Sequence, residues 1–149
     1  MMEKILDSGI HDMAAMAFEK HRLRTFKTWP FNNSCNCSTK NMAEAGFYLI
    51  ASEDSEADAV ECFYCGKQLD GWEDSDDPWK EHYKHASYCD FAKLKKPEIQ
   101  LTVEEFLNLY HNALKNRINK IIDAKIVEAQ NHHQDVLKKY KRDYKKIKN

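Results

Sequence analysis

The residues best suited to chemistry lie between Cys62 and Cys89. The run reads Cys62-Phe63-Tyr64-Cys65, then sixteen residues to His82, then six more to Cys89. A Cys-x2-Cys pair is a two-ligand knuckle: one tight turn sets both sulfurs at a separation that a tetrahedral ion can span. Gly66 follows at once and supplies the permissive backbone such a turn often needs. His82 and Cys89 lie in a segment that opens Asp77-Pro78, a cap followed by a proline at the first helical position. Three thiolates and one imidazole fill all four positions of zinc, which makes a closed, structural site with no place for a substrate water. On spacing alone, His85 is an alternative fourth ligand to His82. Unrelated buried cysteines would not produce a knuckle with a distal His and Cys. A disulfide framework suits neither five cysteines nor a sequence without a secretory leader, so reduced thiols in cytosol or nucleus are expected.

Other chemistry is sparse. There is no phosphate-cradling glycine loop and no pair of acids in a recognisable catalytic frame. Cys35 and Cys37 read as free thiols, packing residues rather than ligands. An enzyme would need one of them to pair with His21 or His85 as nucleophile and base, so a non-enzymatic protein is expected. A binding site is better supported. Ten acids between Glu53 and Asp77 face the single Lys67. Around Trp72, Asp70 and Asp76 can accept from a free ammonium while the indole packs on a small first side chain. Trp72 itself is expected as a half-exposed aromatic wall at least as readily as a core residue.

The elements that must position these groups divide the chain unevenly. Glycine ends at Gly71 and proline at Pro97. A compact part of about ninety residues is small enough that a metal matters to its stability. A helix is predicted over Met13 to Lys27 with Asp12 as cap, ended by Trp29-Pro30. A second, short one is capped by Ser38 and stopped by Gly46. Phe47–Ile50, Val60–Tyr64 and Gln68–Trp72 read as three strands of a small antiparallel sheet. Thr102-Val103-Glu104-Glu105 is a capping box, from which a helix can run to about Lys146. Its stripe of Leu107, Tyr110, Leu114, Ile118 and Ile121, edged by Phe106, Ala113, Ile122 and Ile126, exceeds what so small a domain can cover. A partner helix or a second copy is the natural cover. The last fourteen residues hold seven Lys or Arg against Asp143. A solvated basic helix end is preferred there over direct nucleic-acid binding. No apolar run reaches membrane-spanning length.

His21 to Phe26, Trp29-Pro30, Met42-Ala43-Glu44-Ala45-Gly46-Phe47, the Cys62 knuckle, Gly71-Trp72, Asp77-Pro78, His82 and Cys89 together resemble a baculovirus inhibitor-of-apoptosis repeat (BIR). One such repeat followed directly by a long helix is similar to the survivin-like, chromosomal passenger branch of that family. The resemblance implies an α+β fold. It comprises an arm (1–13), a zinc-binding BIR domain (14–93) with a three-stranded antiparallel sheet and short helices, a linker (94–102) and one long helix (103–149). It favours Cys62, Cys65, His82 and Cys89 as ligands of one structural Zn2+. It implies a non-enzymatic adaptor whose BIR domain reads the histone H3 amino-terminal tail phosphorylated at its third residue. Lys67 and His85 would contact phosphate, and Leu69, Asp70, Trp72 and Asp76 would form the amino-terminal pocket. The helix, through Phe106, Leu107, Tyr110, Leu114, Ile118 and Ile121, would join borealin-like and inner-centromere-protein-like helices and so recruit an Aurora kinase. Self-association of the free protein through Leu94 to Phe106 is implied too, as is residence in nucleus and cytoplasm, with mitotic location at centromere and spindle midzone. Gln68 and Ser75 stand where acids are expected, which predicts an acidic pocket that is either weaker or compensated by the Glu53–Asp58 loop. The alternative within the family is an inhibitor of apoptosis that binds amino-terminal-alanine peptides or antagonises caspases.

Overall fold

The computed structural model describes residues 14–52 and 55–147. The expected arm at 1–13 and the Asp12 cap lie outside them. The elements are α1 (Glu19–Leu23), α2 (Thr39–Glu44), β1 (Phe47–Leu49), β2 (Val60–Cys62), β3 (Gln68–Leu69), α3 (Pro78–His85), α4 (Asp90–Leu94), a 3-10 turn (Glu98–Gln100) and α5 (Val103–Ile147). The strands form one antiparallel sheet in the order β1-β2-β3, with Tyr48 opposite Glu61 and Val60 opposite Leu69. None of the described helices is long and apolar enough to cross a membrane.

The helix predicted from Met13 to Lys27 is broken. Residues 14–16 are helical, the chain turns at Ala17 and Phe18, and α1 begins at Glu19. The cause is Arg22. Its fully buried guanidinium donates to the carbonyls of Met16 and Ala17 at 2.9 and 2.8 Å, and its Nε to Ala43 at 2.8 Å. Carbonyls that would accept from amides one turn later are thus taken by a side chain. Phe18 adopts extended backbone and packs its ring 5.3 Å from that of Phe106. Burial lowers Arg22 to about 10, and its guanidinium lies 4.6 Å over the Phe63 ring.

The short helix follows its predicted punctuation. Ser38 Oγ accepts from Asn41, and Gly46 ends the turn at φ +94. Gly46 is also a close-approach site, since a Cβ there would stand 2.7 Å from the Phe91 ring. The strands are shorter than predicted. After Cys62 the chain closes the knuckle, where the Gly66 amide donates to the Cys62 carbonyl at 2.9 Å. The Cys62 amide in turn donates to the Lys67 carbonyl at 2.9 Å. Gly71 at φ +73 then turns the chain away from β3. Within the sheet, Tyr48 and Gln68 both donate to the buried Glu61 carboxylate, at 2.8 and 2.7 Å. The core is built on Phe26, Trp29, Met42, Phe47, Val60, Trp72 and Phe91.

The compact unit extends through Asn116, so the first turns of α5 belong to it. The capping box forms in both directions: Glu105 N–H to Thr102 Oγ1 at 3.1 Å, and Thr102 N–H to Glu105 Oε2 at 2.9 Å. Leu109 and Ala113 enter the core, and Asn116 donates to the Tyr64 carbonyl at 3.3 Å. The second unit begins at Arg117 and carries the rest of α5, to Ile147. Ile118, Ile122, Ile126, Val127, Val136, Leu137, Tyr140 and Tyr144 are all exposed there.

Candidate metal centre and peptide cleft

The knuckle turn presents Cys62 and Cys65, α3 presents His82 from its second turn, and Cys89 stands at the N-cap of α4. Asp77 starts α3 as predicted, accepting from the amides of Trp79 and Lys80 at 3.0 and 3.2 Å, with Pro78 at its first position. The four donor atoms lie within 4.8 Å of one another, and Cys65 Sγ is 3.7 Å from His82 Nε2. A sulfur and a nitrogen on tetrahedral zinc would be about 3.5 Å apart, so the set fits that ion. His85 is not among the four. Its place is on the exposed side of α3, with Nε2 3.3 Å from Glu81.

The His82 ring is set by its other nitrogen. Nδ1 lies 2.9 Å from the Ala45 carbonyl, which can only accept, so Nδ1 carries the proton and Nε2 offers its lone pair to the cluster. The Phe47 ring lies 4.7 Å from the imidazole. The thiols differ in their acidity. Hydrogen bonds from Cys62 and Cys89 hold the Cys65 thiol far below its ordinary value, whereas burial pushes Cys62 well above it. A dication held by this set would draw the protons from the thiols and be bound by sulfur as thiolate. Tyr64 N–H already points at Cys62 Sγ at 3.4 Å.

Beside this centre lies a cleft of about 350 Å³, lined by Leu69, Asp70, Gly71, Trp72, Glu73, Asp76, Glu81, Lys84 and His85. All four residues expected in an amino-terminal pocket are in it. His85 is there, but Lys67 is not among the lining residues, and Lys84, which the sequence reading missed, is. Trp72 takes the core alternative rather than that of a half-exposed wall. It is only 7% exposed and packs edge-on to Phe47 at 5.5 Å, while its Nε1 is buried without a hydrogen-bond partner. Asp58, from the acidic loop expected to compensate the pocket, accepts from the Trp72 amide at 2.7 Å and so sets the backbone of the cleft wall. Asp76 accepts from the Glu73 amide at 2.8 Å. Gln68, expected to weaken the pocket, instead spends its amide on Glu61 in the sheet.

Of the residues expected at a partner-helix interface, Leu107 and Ile118 are exposed and Leu114 and Ile121 half-buried. Phe106 packs on Phe18 and stacks 6.4 Å from Tyr110, so those two rings serve the compact unit itself.

A family model described as the BIR, or Inhibitor of Apoptosis, domain matches residues 22–93. Baculoviral IAP repeat-containing protein 5 of Cavia porcellus is 47% identical over 112 residues, 75% of this chain and 78% of that protein. Its counterpart in Rattus norvegicus is 43% identical over 121 residues, 81% of this chain and 84% of that protein. A crystal structure of DIAP1 BIR1 bound to a Grim peptide shares 30% identity at a TM-score of 0.44, over 51% of this chain and 71% of that chain.

Proposed function

Because this chain belongs to the baculovirus inhibitor-of-apoptosis repeat family, with close similarity to repeat-containing protein 5, we propose that it is a non-enzymatic adaptor. Its compact unit reads the free amino terminus of a histone H3 tail phosphorylated at the third residue. Its long helix assembles with borealin-like and inner-centromere-protein-like helices. Through them it recruits an Aurora kinase to mitotic chromosomes, with nuclear and cytoplasmic residence between divisions. Zn2+ would be held by Cys62, Cys65, His82 and Cys89 and would supply cross-linking of the sheet to α3 and α4, with no catalytic part.

The observation that carries this reading is the polarity of the cleft. Asp70, Glu73 and Asp76 line it together with Lys84 and His85. An ammonium suits the acids, and Trp72 backs them as the apolar part of the same wall. The third residue of an extended peptide lies about 7 Å from its amino nitrogen, a distance over which a cleft of this size can hold both charges. His85 and Lys67 are assigned to the phosphate, and Lys84 joins them. Both α3 side chains now share Glu81, at 3.3 Å from His85 and 2.9 Å from Lys84, so phosphate must displace that carboxylate. Exposed Ile99 and Val103, beside the half-buried Leu101, support self-association of the free protein through residues 94–106.

Titration calorimetry with three peptides tests the scheme. The phosphothreonine tail should bind about tenfold to a hundredfold more tightly than the unmodified tail, the yield of one partly exposed charge-assisted contact. Acetylating the amino terminus should abolish binding of both. Lys67→Ala and His85→Ala should each reduce the phosphate preference and spare weak binding to the unmodified tail. Equal affinity for modified and unmodified tails would remove the phosphate reader and leave the amino-terminal-alanine reading of the wider family.

A further inference from the structure

Cys35 and Cys37 are the two thiols outside the zinc cluster. Cys37 is fully buried, as a packing residue would be. The geometry points to a further role: with Asp74 they form a second, weaker site for a thiophilic divalent cation of the zinc class, with water as fourth ligand. The two sulfurs stand 3.5 Å apart. On a tetrahedral ion at about 2.3 Å they would be about 3.8 Å apart, so an opening of a few tenths of an ångström is enough. An Asp74 carboxylate oxygen completes a set of three donor atoms that all lie within 4.8 Å of one another.

The meeting of these groups is built by the backbone. Asn36, between the two cysteines, donates its amide to the Asp74 carbonyl and its side chain to the Ser75 carbonyl, both at 3.0 Å. The Asn36 carbonyl accepts from Asn41 Nδ2 in α2 at 2.9 Å, and the Cys35 carbonyl from Ser38 N–H at 3.2 Å. The strand of chain carrying both sulfurs is therefore strapped to the residue carrying the carboxylate. Ligands held in place before the ion arrives are what a metal site requires. Cys37 supplies the inner ligand, while half-buried Cys35 and exposed Asp74 leave the entry open to solvent. Two thiolates with one carboxylate suit zinc-class ions rather than magnesium or calcium. Binding forms two metal–sulfur bonds and releases the two thiol protons to buffer; the Cys35 S–H, which now donates to the Asn32 carbonyl at 2.9 Å, is given up. The bound ion would tie residues 35–37 to the turn that carries Glu73 and Asp76 of the cleft.

Cobalt(II) titration of the full chain, already holding one equivalent of zinc and kept reduced, tests this. Wild type should take up one further equivalent, with a thiolate-to-cobalt charge-transfer band. Cys35→Ser should lose that band and keep the first zinc by elemental analysis. Asp74→Asn should weaken the second equivalent by at least about tenfold. Both changes fall outside the core, so the comparison does not depend on tolerance of a change at Cys37. No band beyond the first equivalent of metal, a band that survives Cys35→Ser, or an affinity untouched by Asp74→Asn would overturn the assignment.

Discussion

At the scale of single residues, the zinc cluster binds its ion by exchanging protons for metal. If the metal-free compact unit unfolds, each of three thiols near their ordinary value of about 8.5 must give up a proton. Raising pH then favours the bound state, and affinity should rise roughly 500-fold between pH 7 and 8, measured by chelator competition. A rise of only about 100-fold would mean that two protons leave a folded metal-free cluster, because Cys65 enters as a thiolate held low by its Cys62 and Cys89 neighbours while those two stay protonated. Cys65→Ala should remove a ligand whose site is worth on the order of 10 kcal/mol. The near-UV circular dichroism of the compact unit should vanish while most far-UV helical signal remains. Persistence of a native near-UV spectrum without zinc would refute a structural role. Arg22 is a residue of the opposite kind. It carries no function in the cleft, yet its three hydrogen bonds to Met16, Ala17 and Ala43 decide where the first helix breaks.

Elements show where sequence reading succeeds. Caps and turns are local chemistry, so Ser38, Asp77-Pro78, Gly46 and the Thr102–Glu105 box were legible from a few letters. So was the knuckle, because two-residue spacing fixes its geometry wherever it occurs. What was not legible depends on partners far along the chain: the break before α1 needs Ala43 to anchor the Arg22 side chain, and the burial of Trp72 needs Phe47. The cleft was half visible. Asp70, Trp72 and Asp76 are close in sequence, whereas Asp58 and Lys84 reach it from other segments. α5 was read as one stripe awaiting a partner, but its first turns present a second face, Leu109 and Ala113, to their own domain. The two faces predict opposite phenotypes. Leu109→Ala should destabilise the compact unit by about 2–5 kcal/mol in denaturant melts. Leu114→Glu with Ile118→Glu should leave zinc content and that melt nearly unchanged but abolish co-purification with helical partners, since two charges in a packed seam add desolvation to lost burial. Undiminished co-purification would show that the stripe is not the interface.

On the scale of the whole molecule, the compact unit is closed by chain that lies far beyond its zinc ligands. Phe18 packs on Phe106, the Glu19 amide donates to the Glu98 carboxylate, and Leu109 and Ala113 finish the core. Ligand exchange should therefore be protected by these late contacts. Truncation after residue 102 should leave the four ligands intact yet speed zinc loss to a chelator by more than tenfold, while an unchanged rate would confine the metal's hold to the cluster itself. The same closure has a consequence for biosynthesis. All four zinc ligands precede residue 90, so the metal centre can assemble on a nascent chain. The partner ring for Phe18, that of Phe106, does not yet exist at that moment. At about 5–20 residues per second, some 5–20 s pass between the emergence of Phe18 and that of Ala113. For that interval the growing chain carries an uncovered aromatic patch, and the ribosome's pace, rather than any rearrangement of the finished domain, determines how long it stays so.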